Sequence, residues 1–412
     1  MARFRGARSM KARFRGARSM RARFRAWAYG LTALTVLGLA GAGGCAPWRA
    51  IEAVEVLGDI AAGPKPSRLK RITPEPRRGP IAYVVAGRRR QGDLYRPGES
   101  AKAALVLVPG IARAGKDDPR LVALANTLAR ARFTVLVPDI ENLRALRVSP
   151  ADAVAIADAI NYLAGHYLAG ELPAGGNGGR GEPATVGLIA ISYAAGPAVL
   201  AALRPDTRRR VRFVFIIGGY YDSEAVLTFF TTGYYRDGPN EPWLHRTPNA
   251  YGKWVFVKSN AGRISDPGDG AVLERMAERK MGNLGADITD LVVALGAEGR
   301  AVYALLANSD PARVPALIAA LPEAVRADIA ALDLKRQDLS KIEARLILVH
   351  GRDDAIIPYS ESKALAAAAP EGKAALYVVD SLAHVDLGAA GLIDTLILWR
   401  AAYRLLSERE ED

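Results

Sequence analysis

Six short apolar runs between residues 104 and 380 alternate with segments of helical periodicity, and this alternation constrains the fold more than any other feature. The run 104–110, ALVLVPG, is apolar until its final Pro-Gly, which is typical of a strand buried on both faces of a sheet. The alternation predicts an α/β protein with a mainly parallel, doubly wound sheet. The predicted strands are 104–110, 133–139, 184–191, 211–219, 344–351 and 374–380, and the predicted helices are 118–131, 149–168, 193–204, 359–369 and 388–406.

Two segments depart from this alternation. Shortly after residue 79, the runs IAYVVAGR and GDLYRP are joined by an Arg-rich turn and predict a β-hairpin. Residues 220–340 hold no strong strand run and are too many for a structureless loop. We therefore predict a helical cap at 220–340, inserted into a core formed by residues 80–219 and 341–412. The aromatic residues that open the cap either pack against the sheet or bind an acyl chain.

Basic residues are concentrated at the N-terminus. Residues 1–27 contain ten Lys or Arg and no acidic residue, in a near-perfect ten-residue repeat, so the true start is Met1, Met10 or Met20. Without this stretch, 46 basic residues stand against 43 acidic ones, a balance that argues against nucleic-acid binding. The basic start and the apolar run that follows predict a signal peptide or N-terminal anchor at residues 1–44.

Cys45 is the only cysteine of the chain and directly follows this apolar run. A lone cysteine cannot form an internal disulfide, and a small buried side chain is its ordinary role. The sequence AGGC resembles the lipobox of bacterial lipoproteins, although Ala42 stands where that motif usually has Leu. The resemblance implies export to the bacterial cell envelope and anchoring through a lipid on Cys45, with an uncleaved helix anchor or soluble export as alternatives. Residues 45–79 are rich in Pro, Arg and Gly and predict a tether with little regular structure.

Polar residues lie just beyond the predicted strand ends, where ligands bind in open α/β sheets. Ser192 lies between a strand and a helix, flanked by small residues, as the tight turn of a nucleophile elbow requires; capping of the helix is the alternative. His384 follows the last strand and can act as a general base and acid. Asp353 and Asp354 follow the preceding strand and offer a carboxylate that orients an imidazole, with Asp222 as a second candidate.

The segments VPGIA, AISYAAG, GRDDAIIP and AHVD occur in an order that resembles the α/β-hydrolase family. The resemblance extends from about residue 80 to 406 and implies a catalytic triad of Ser192, Asp354 and His384. Asp354 is chosen over its neighbour because the acid loop of the family commonly reads G-x-x-D-x-x-V/I-P.

The resemblance also implies an oxyanion hole formed by the backbone N–H groups of Ile111 and Tyr193. Two features depart from the family: Pro109 stands where the family often has His, and Ala190 and Ala194 replace both glycines of the elbow. The alanines are sterically mild replacements, but the departures leave a non-catalytic module at the envelope as an alternative.

The reaction that the resemblance implies is hydrolysis of a carboxylic ester, from a small molecule or a lipid, through an acyl-Ser intermediate. It requires neither a cofactor nor a metal. The segment GDLYRP looks like the corresponding part of carboxylesterases and lipases. Acyl transfer to an alcohol or amine and peptide cleavage are alternatives on the same triad, and a membrane-active protein driven by its basic N-terminus is a further one.

Overall fold

A computed structural model describes residues 47–168, 184–380, 382–383, 386–387 and 391–409. The chain divides into two compact units, residues 1–55 and residues 56–412. Cys45 and the predicted signal segment lie outside the described residues, and so does His384. None of the helices in the described part of the chain is long and apolar enough to cross a membrane.

An eight-stranded sheet forms the centre of the second unit, in the order β1-β2-β4-β3-β5-β6-β9-β10. Its strands are β1 (Arg77–Val85), β2 (Arg88–Arg96), β3 (Ala103–Val108), β4 (Phe133–Pro138), β5 (Val186–Ile191), β6 (Val211–Ile217), β9 (Arg345–Gly351) and β10 (Ala374–Val379). Strand β2 runs antiparallel to both of its neighbours, and all the other neighbouring strands are parallel. The predicted mainly parallel sheet is therefore confirmed, and all six predicted strands belong to it.

Helices connect the strands and cover the sheet. Helices α1 to α6 are Pro47–Ala62, Arg68–Ile72, Pro119–Arg130, Glu141–Arg144, Asp152–Leu168 and Ala195–Leu203, and helices α14 and α15 are Ser360–Ala368 and Leu392–Ser407. Helix α3 begins where the sequence predicts, because the Asp118 carboxylate accepts a hydrogen bond from the Arg120 N–H at 2.9 Å and Pro119 occupies the first turn. Helix α5 begins at Asp152, three residues after the predicted start, because Ser149 forms a turn with Asp152.

The predicted hairpin is confirmed, but its turn differs from the predicted one. Strands β1 and β2 are joined by two residues, Ala86 and Gly87, with φ values of 48° and 77°. Two consecutive positive φ values are typical of a type I′ turn, which matches the twist of the flanking strands. Arg89 and Arg90, which the sequence pattern places in the turn, therefore belong to strand β2.

The expectation that residues 45–79 have little regular structure is wrong. Helices α1 and α2 and the start of β1 lie in this segment. Near the end of α1, Asp59 accepts hydrogen bonds from Thr127 at 2.6 Å and from Lys70 at 2.5 Å. The overall Pro, Arg and Gly content concealed a helix, because the run PWRAIEAVEVLGDIAA contains no proline after its first residue.

Residues 220–340 are helical, as the lack of strand runs indicates. Helices α7 to α13 are Ser223–Thr232, Tyr251–Asn260, Pro267–Gly282, Thr289–Val293, Ala297–Ala307, Val314–Ala319 and Glu323–Leu332. A small ribbon of β7 (Tyr234–Tyr235) and β8 (Leu244–His245) was not predicted. Side chains of α8 to α13 form a hydrophobic cluster separate from the one around the sheet. The division of the chain into core, cap and tether remains a prediction.

The remaining ribbon pairs β11 (Leu382–Ala383) with β12 (Asp386–Leu387).

Candidate active site

Ser192 lies in a strained turn directly after strand β5. Its φ angle is +59°, and a short 3₁₀ turn, Ser192–Ala194, leads from it into helix α6. A positive φ is uncommon for any residue except glycine and marks a backbone that its surroundings force into place. The residue that caps α6 is Ala194, so the alternative that Ser192 caps this helix is wrong. The strand, strained serine and helix together have the geometry of a nucleophile elbow.

Close packing around the turn explains its small residues. Ala190 and Ala194 are fully buried, so the sites that hold glycine in the family motif accommodate a methyl group here. Gly196 has no such space, because a Cβ at this position would collide with the hydroxyl and ring of Tyr220. The Tyr220 hydroxyl is fixed in turn by a 3.1 Å hydrogen bond that it donates to the carbonyl oxygen of Leu332.

Asp354 follows strand β9 and is held by backbone hydrogen bonds. Its side chain is buried, and one carboxylate oxygen, Oδ1, accepts hydrogen bonds from the N–H groups of Ile356 at 2.7 Å and Ile357 at 3.0 Å. The other oxygen, Oδ2, lies 3.3 Å from Nε2 of His350. The orientation of the carboxylate is therefore fixed before any substrate binds.

His350 is buried, and its ring supports the Asp354 loop. Its Nε2 lies 2.9 Å from the carbonyl oxygen of Ile357, and its Nδ1 lies 2.7 Å from the Ser362 hydroxyl. A carbonyl oxygen only accepts hydrogen bonds, so Nε2 carries a proton. His350 thus links β9, the loop and helix α14. The sequence signal for this contact is the four-residue spacing between His350 and Asp354.

The segments beside His384 lie at the same strand end, although His384 itself is outside the described residues. A Cβ at Gly351, the last residue of β9, would collide with the carbonyl oxygen of Leu382. Leu382 is two residues before His384 in the sequence and therefore packs against the strand that leads to Asp354. The role of His384 in a triad stays a prediction.

The loop after β3 lies against the nucleophile turn. A Cβ at Gly110 would lie 3.7 Å from Ile191, the residue before Ser192. Further along the loop, the Lys116 ammonium lies 3.1 Å from the Asp93 carboxylate of strand β2, which anchors the loop to the sheet. The oxyanion donors Ile111 and Tyr193 remain predictions, since no contact of either N–H group tests them.

Asp222, the second candidate for the acid, caps a helix instead. Its carboxylate accepts hydrogen bonds from the N–H groups of Glu224 at 2.9 Å and Ala225 at 3.2 Å at the start of α7. It also forms a 2.8 Å ion pair with Lys335. These contacts give the side chain a structural role, and the choice of Asp354 as the acid stays a prediction.

Glu361 is a buried acid that the sequence analysis did not identify. Its Oε2 accepts hydrogen bonds from the N–H groups of Tyr221 at 3.0 Å and Asp222 at 2.8 Å, just beyond strand β6. Burial raises the pKa of the Glu361 carboxyl from 4.5 to about 8. No sequence signal reveals this contact, because its partners are backbone groups about 140 residues away.

A cavity of about 100 Å³ lies beside Tyr193. Its walls come from helices α7, α8 and α13 and are mainly apolar. The lining includes Val226, Phe230, Val255, Phe256, Ile329 and Leu332. The Tyr193 hydroxyl is buried and has no hydrogen-bond partner in the part of the chain that the structure describes. Burial raises the pKa of this phenol, and the nearby Asp354 charge raises it further.

No protein-family model matches the chain, and neither does any curated protein. Solved structures do match. One is a candidate hydrolase from Legionella pneumophila, at 12% identity and a TM-score of 0.54, with 84% of this chain and 94% of that chain covered. Another is a mutant of the rice cell wall degrading esterase LipA from Xanthomonas oryzae, at 17% identity and a TM-score of 0.50, with 81% and 90% covered. The chain has the α/β-hydrolase fold, as the sequence predicts.

Proposed function

We propose that the protein is a serine hydrolase that cleaves carboxylic esters through an acyl intermediate on Ser192. The observation that carries the proposal is the φ angle of +59° at Ser192, between a central parallel strand and a helix. Such strain persists only where the surroundings enforce it and is common at active sites. The similarity of the fold to a candidate hydrolase and to an esterase supports the same reaction class.

The proposed mechanism uses Ser192, His384 and Asp354. The imidazole of His384 takes the proton of the Ser192 hydroxyl as the oxygen attacks the ester carbonyl, and then gives that proton to the departing alcohol. Water attacks the acyl-Ser192 in the second half-reaction, releases the acid and restores the hydroxyl. Asp354 orients the imidazole, and its two bonds from Ile356 and Ile357 preserve its own position.

The backbone N–H groups of Ile111 and Tyr193 are the proposed donors to the oxyanion that forms in each step. Removal of one such donor typically lowers the rate about 100- to 1,000-fold. The ion pair between Lys116 and Asp93 supports this role. It fixes the loop after β3, which carries Ile111, to strand β2 of the sheet.

The proposed location is the bacterial cell envelope, with a lipid on Cys45 as the membrane anchor. The support comes from the sequence: a basic start, an apolar run and AGGC. Incorporation of radiolabelled palmitate into the full chain in a bacterial host tests the anchor. Label on the wild type but not on Cys45→Ser is expected, and label that persists on Cys45→Ser would contradict lipidation at this cysteine.

Labelling with a fluorophosphonate probe tests the reaction. We expect the full chain to be labelled and to hydrolyse p-nitrophenyl esters, and Ser192→Ala to lose both properties. Ser340→Ala is the matched control, because Ser340 is exposed and its hydroxyl donates to the nearby Asp338. Equal labelling of Ser192→Ala and wild type would refute Ser192 as the nucleophile.

A further inference from the structure

The cavity beside Tyr193 is lined, among the described residues, by an uncharged polar group that has no hydrogen-bond partner. Ser259 bonds to Val148, Asn260 bonds to Phe256, and Asp328 pairs with Arg263. The Tyr193 hydroxyl, in contrast, is buried without a hydrogen-bond partner among the described residues. Buried polar groups in native proteins are almost always paired, so a buried hydroxyl beside an apolar cavity offers a hydrogen bond to a molecule that enters the cavity.

The position of this hydroxyl can be located from its surroundings. It lies near Gly252 of helix α8, where a Cβ would be 3.7 Å from the Tyr193 oxygen. Gly252 and Tyr193 both line the cavity. Because burial raises the pKa of the Tyr193 phenol, the group stays protonated and can donate a hydrogen bond. A ligand in the cavity therefore binds more tightly if it has an oxygen atom that accepts a hydrogen bond from the Tyr193 hydroxyl.

Tyr193 also directly follows the proposed nucleophile in the chain, so the cavity borders on the residue next to Ser192. We propose that the Tyr193 hydroxyl determines specificity by donating a hydrogen bond to an oxygen within a short, otherwise apolar side of the ester substrate. This inference rests on the proposed function and adds the substrate class to it. The oxygen can belong to the acyl side or to the alcohol side of the ester.

The volume of the cavity limits the size of that side. At about 100 Å³ it is smaller than the engineered apolar cavity of about 150 Å³ that binds benzene. A side of four or five heavy atoms therefore fits, whereas a long acyl chain does not. A lone ether oxygen among carbon atoms satisfies both the size and the chemistry.

Two pairs of nearly isosteric esters test the inference. On the acyl side, p-nitrophenyl 3-methoxypropanoate is compared with p-nitrophenyl pentanoate; on the alcohol side, 2-methoxyethyl acetate is compared with butyl acetate. In each pair one CH₂ is replaced by oxygen. The readout is the ratio of kcat/KM within a pair, measured in the wild type and in Tyr193→Phe. The wild-type ratio is then divided by the Tyr193→Phe ratio. This cancels the difference in intrinsic reactivity between the two esters of a pair.

We expect the ratio of one pair to be about tenfold higher in the wild type than in Tyr193→Phe, the value of one hydrogen bond. The pair that responds identifies the side of the ester that enters the cavity. Tyr377→Phe is the matched control: Tyr377 lies on the edge strand β10 and is not one of the residues that line the cavity, so both ratios should keep their wild-type values. Gly252→Ala is a second variant, because its methyl group would occupy the space facing the hydroxyl, and it should lower the same ratio.

Two failures are distinguishable. If wild type and variants are labelled on Ser192 and hydrolyse all four esters, but both ratios are the same in wild type, Tyr193→Phe and Gly252→Ala, the inference is overturned and the proposed function stands. If the wild type is neither labelled nor active, the proposed function is overturned and the inference with it.

Discussion

The ends of strands β5 and β9 hold their polar side chains in different ways. Ser192 after β5 is held by close packing, because its backbone is strained and the next turn has no space for a side chain at Gly196. Asp354 after β9 is held by hydrogen bonds from two N–H groups and lies beside the buried His350. A larger side chain near Ser192 should therefore disturb the end of β5, whereas a change of the polar group at position 354 should disturb the end of β9.

The largest expected effect is that of Asp354→Asn on catalysis. The amide oxygen of Asn can still accept from Ile356 and Ile357, so these two hydrogen bonds of the loop should persist. In the proposed mechanism an imidazolium forms on His384, and the amide cannot stabilise it, so kcat should fall about 10,000-fold. Ester hydrolysis under saturating substrate measures this.

Asp353→Asn is the matched control, because Asp353 is adjacent but exposed. Its kcat should stay within about twofold of the wild-type value. An Asp354→Asn protein that folds and retains most of its activity would remove Asp354 from the triad, and hydrogen bonding at the end of β9 would then serve structure alone.

Much of this comparison could be predicted from the sequence. Ser192 and Asp354 were located because a strand buried on both faces has a distinctive run of apolar residues, and functional side chains follow its end. Small residues around Ser192 indicated close packing there. The sequence could not reveal that Gly196 faces Tyr220, because that contact joins residues on different elements.

Hydrogen bonds to distant backbone groups were also beyond the sequence. Glu361 is an example: glutamate is rarely buried, and nothing in its neighbourhood in the chain indicates that the N–H groups of Tyr221 and Asp222 cover it. Helix α1 is hard to recognise for another reason. A Pro-rich segment follows it directly and dominates the composition of residues 45–79, although residues 48–62 contain no proline.

The end of β6 is also held by hydrogen bonds, which Glu361 accepts, and the next largest expected effect is the pH dependence of stability that this residue causes. The pKa of Glu361 is raised from 4.5 to about 8 in the folded protein, so the folded state favours the protonated carboxyl. This contribution to stability is complete below pH 4.5 and is lost as the pH rises through 8. Each unit of pKa difference corresponds to about 1.4 kcal/mol, so the loss amounts to roughly a few kcal/mol.

Glu361→Gln tests this because Gln keeps an oxygen that can accept from both N–H groups and does not titrate. Urea unfolding between pH 5 and pH 9 should show that the variant gains stability relative to the wild type as the pH rises. Glu371→Gln, at an exposed glutamate, is the control and should follow the wild-type curve. If Glu361→Gln also runs parallel to the wild type, the carboxyl is not held protonated by burial.

The smallest of the three effects concerns the packing at the end of β5. In Gly196→Ala the new methyl group would collide with the Tyr220 hydroxyl and ring, and overpacking of this kind typically costs about 1–3 kcal/mol. Urea unfolding measures this cost. Because the first turn of α6 must shift, the probe-labelling rate of Ser192 should fall as well, whereas stabilisation is the ordinary result of Gly→Ala inside a helix.

The double variant Gly196→Ala/Tyr220→Ala separates the collision from other causes. Removal of the ring creates the space that the methyl group needs, so the cost of Gly196→Ala should be smaller in the Tyr220→Ala background than in the wild type. The difference between the two backgrounds is the energy of the collision itself. If the cost is the same in both, Tyr220 does not enforce the turn, and the strain at Ser192 must come from the strand and helix alone.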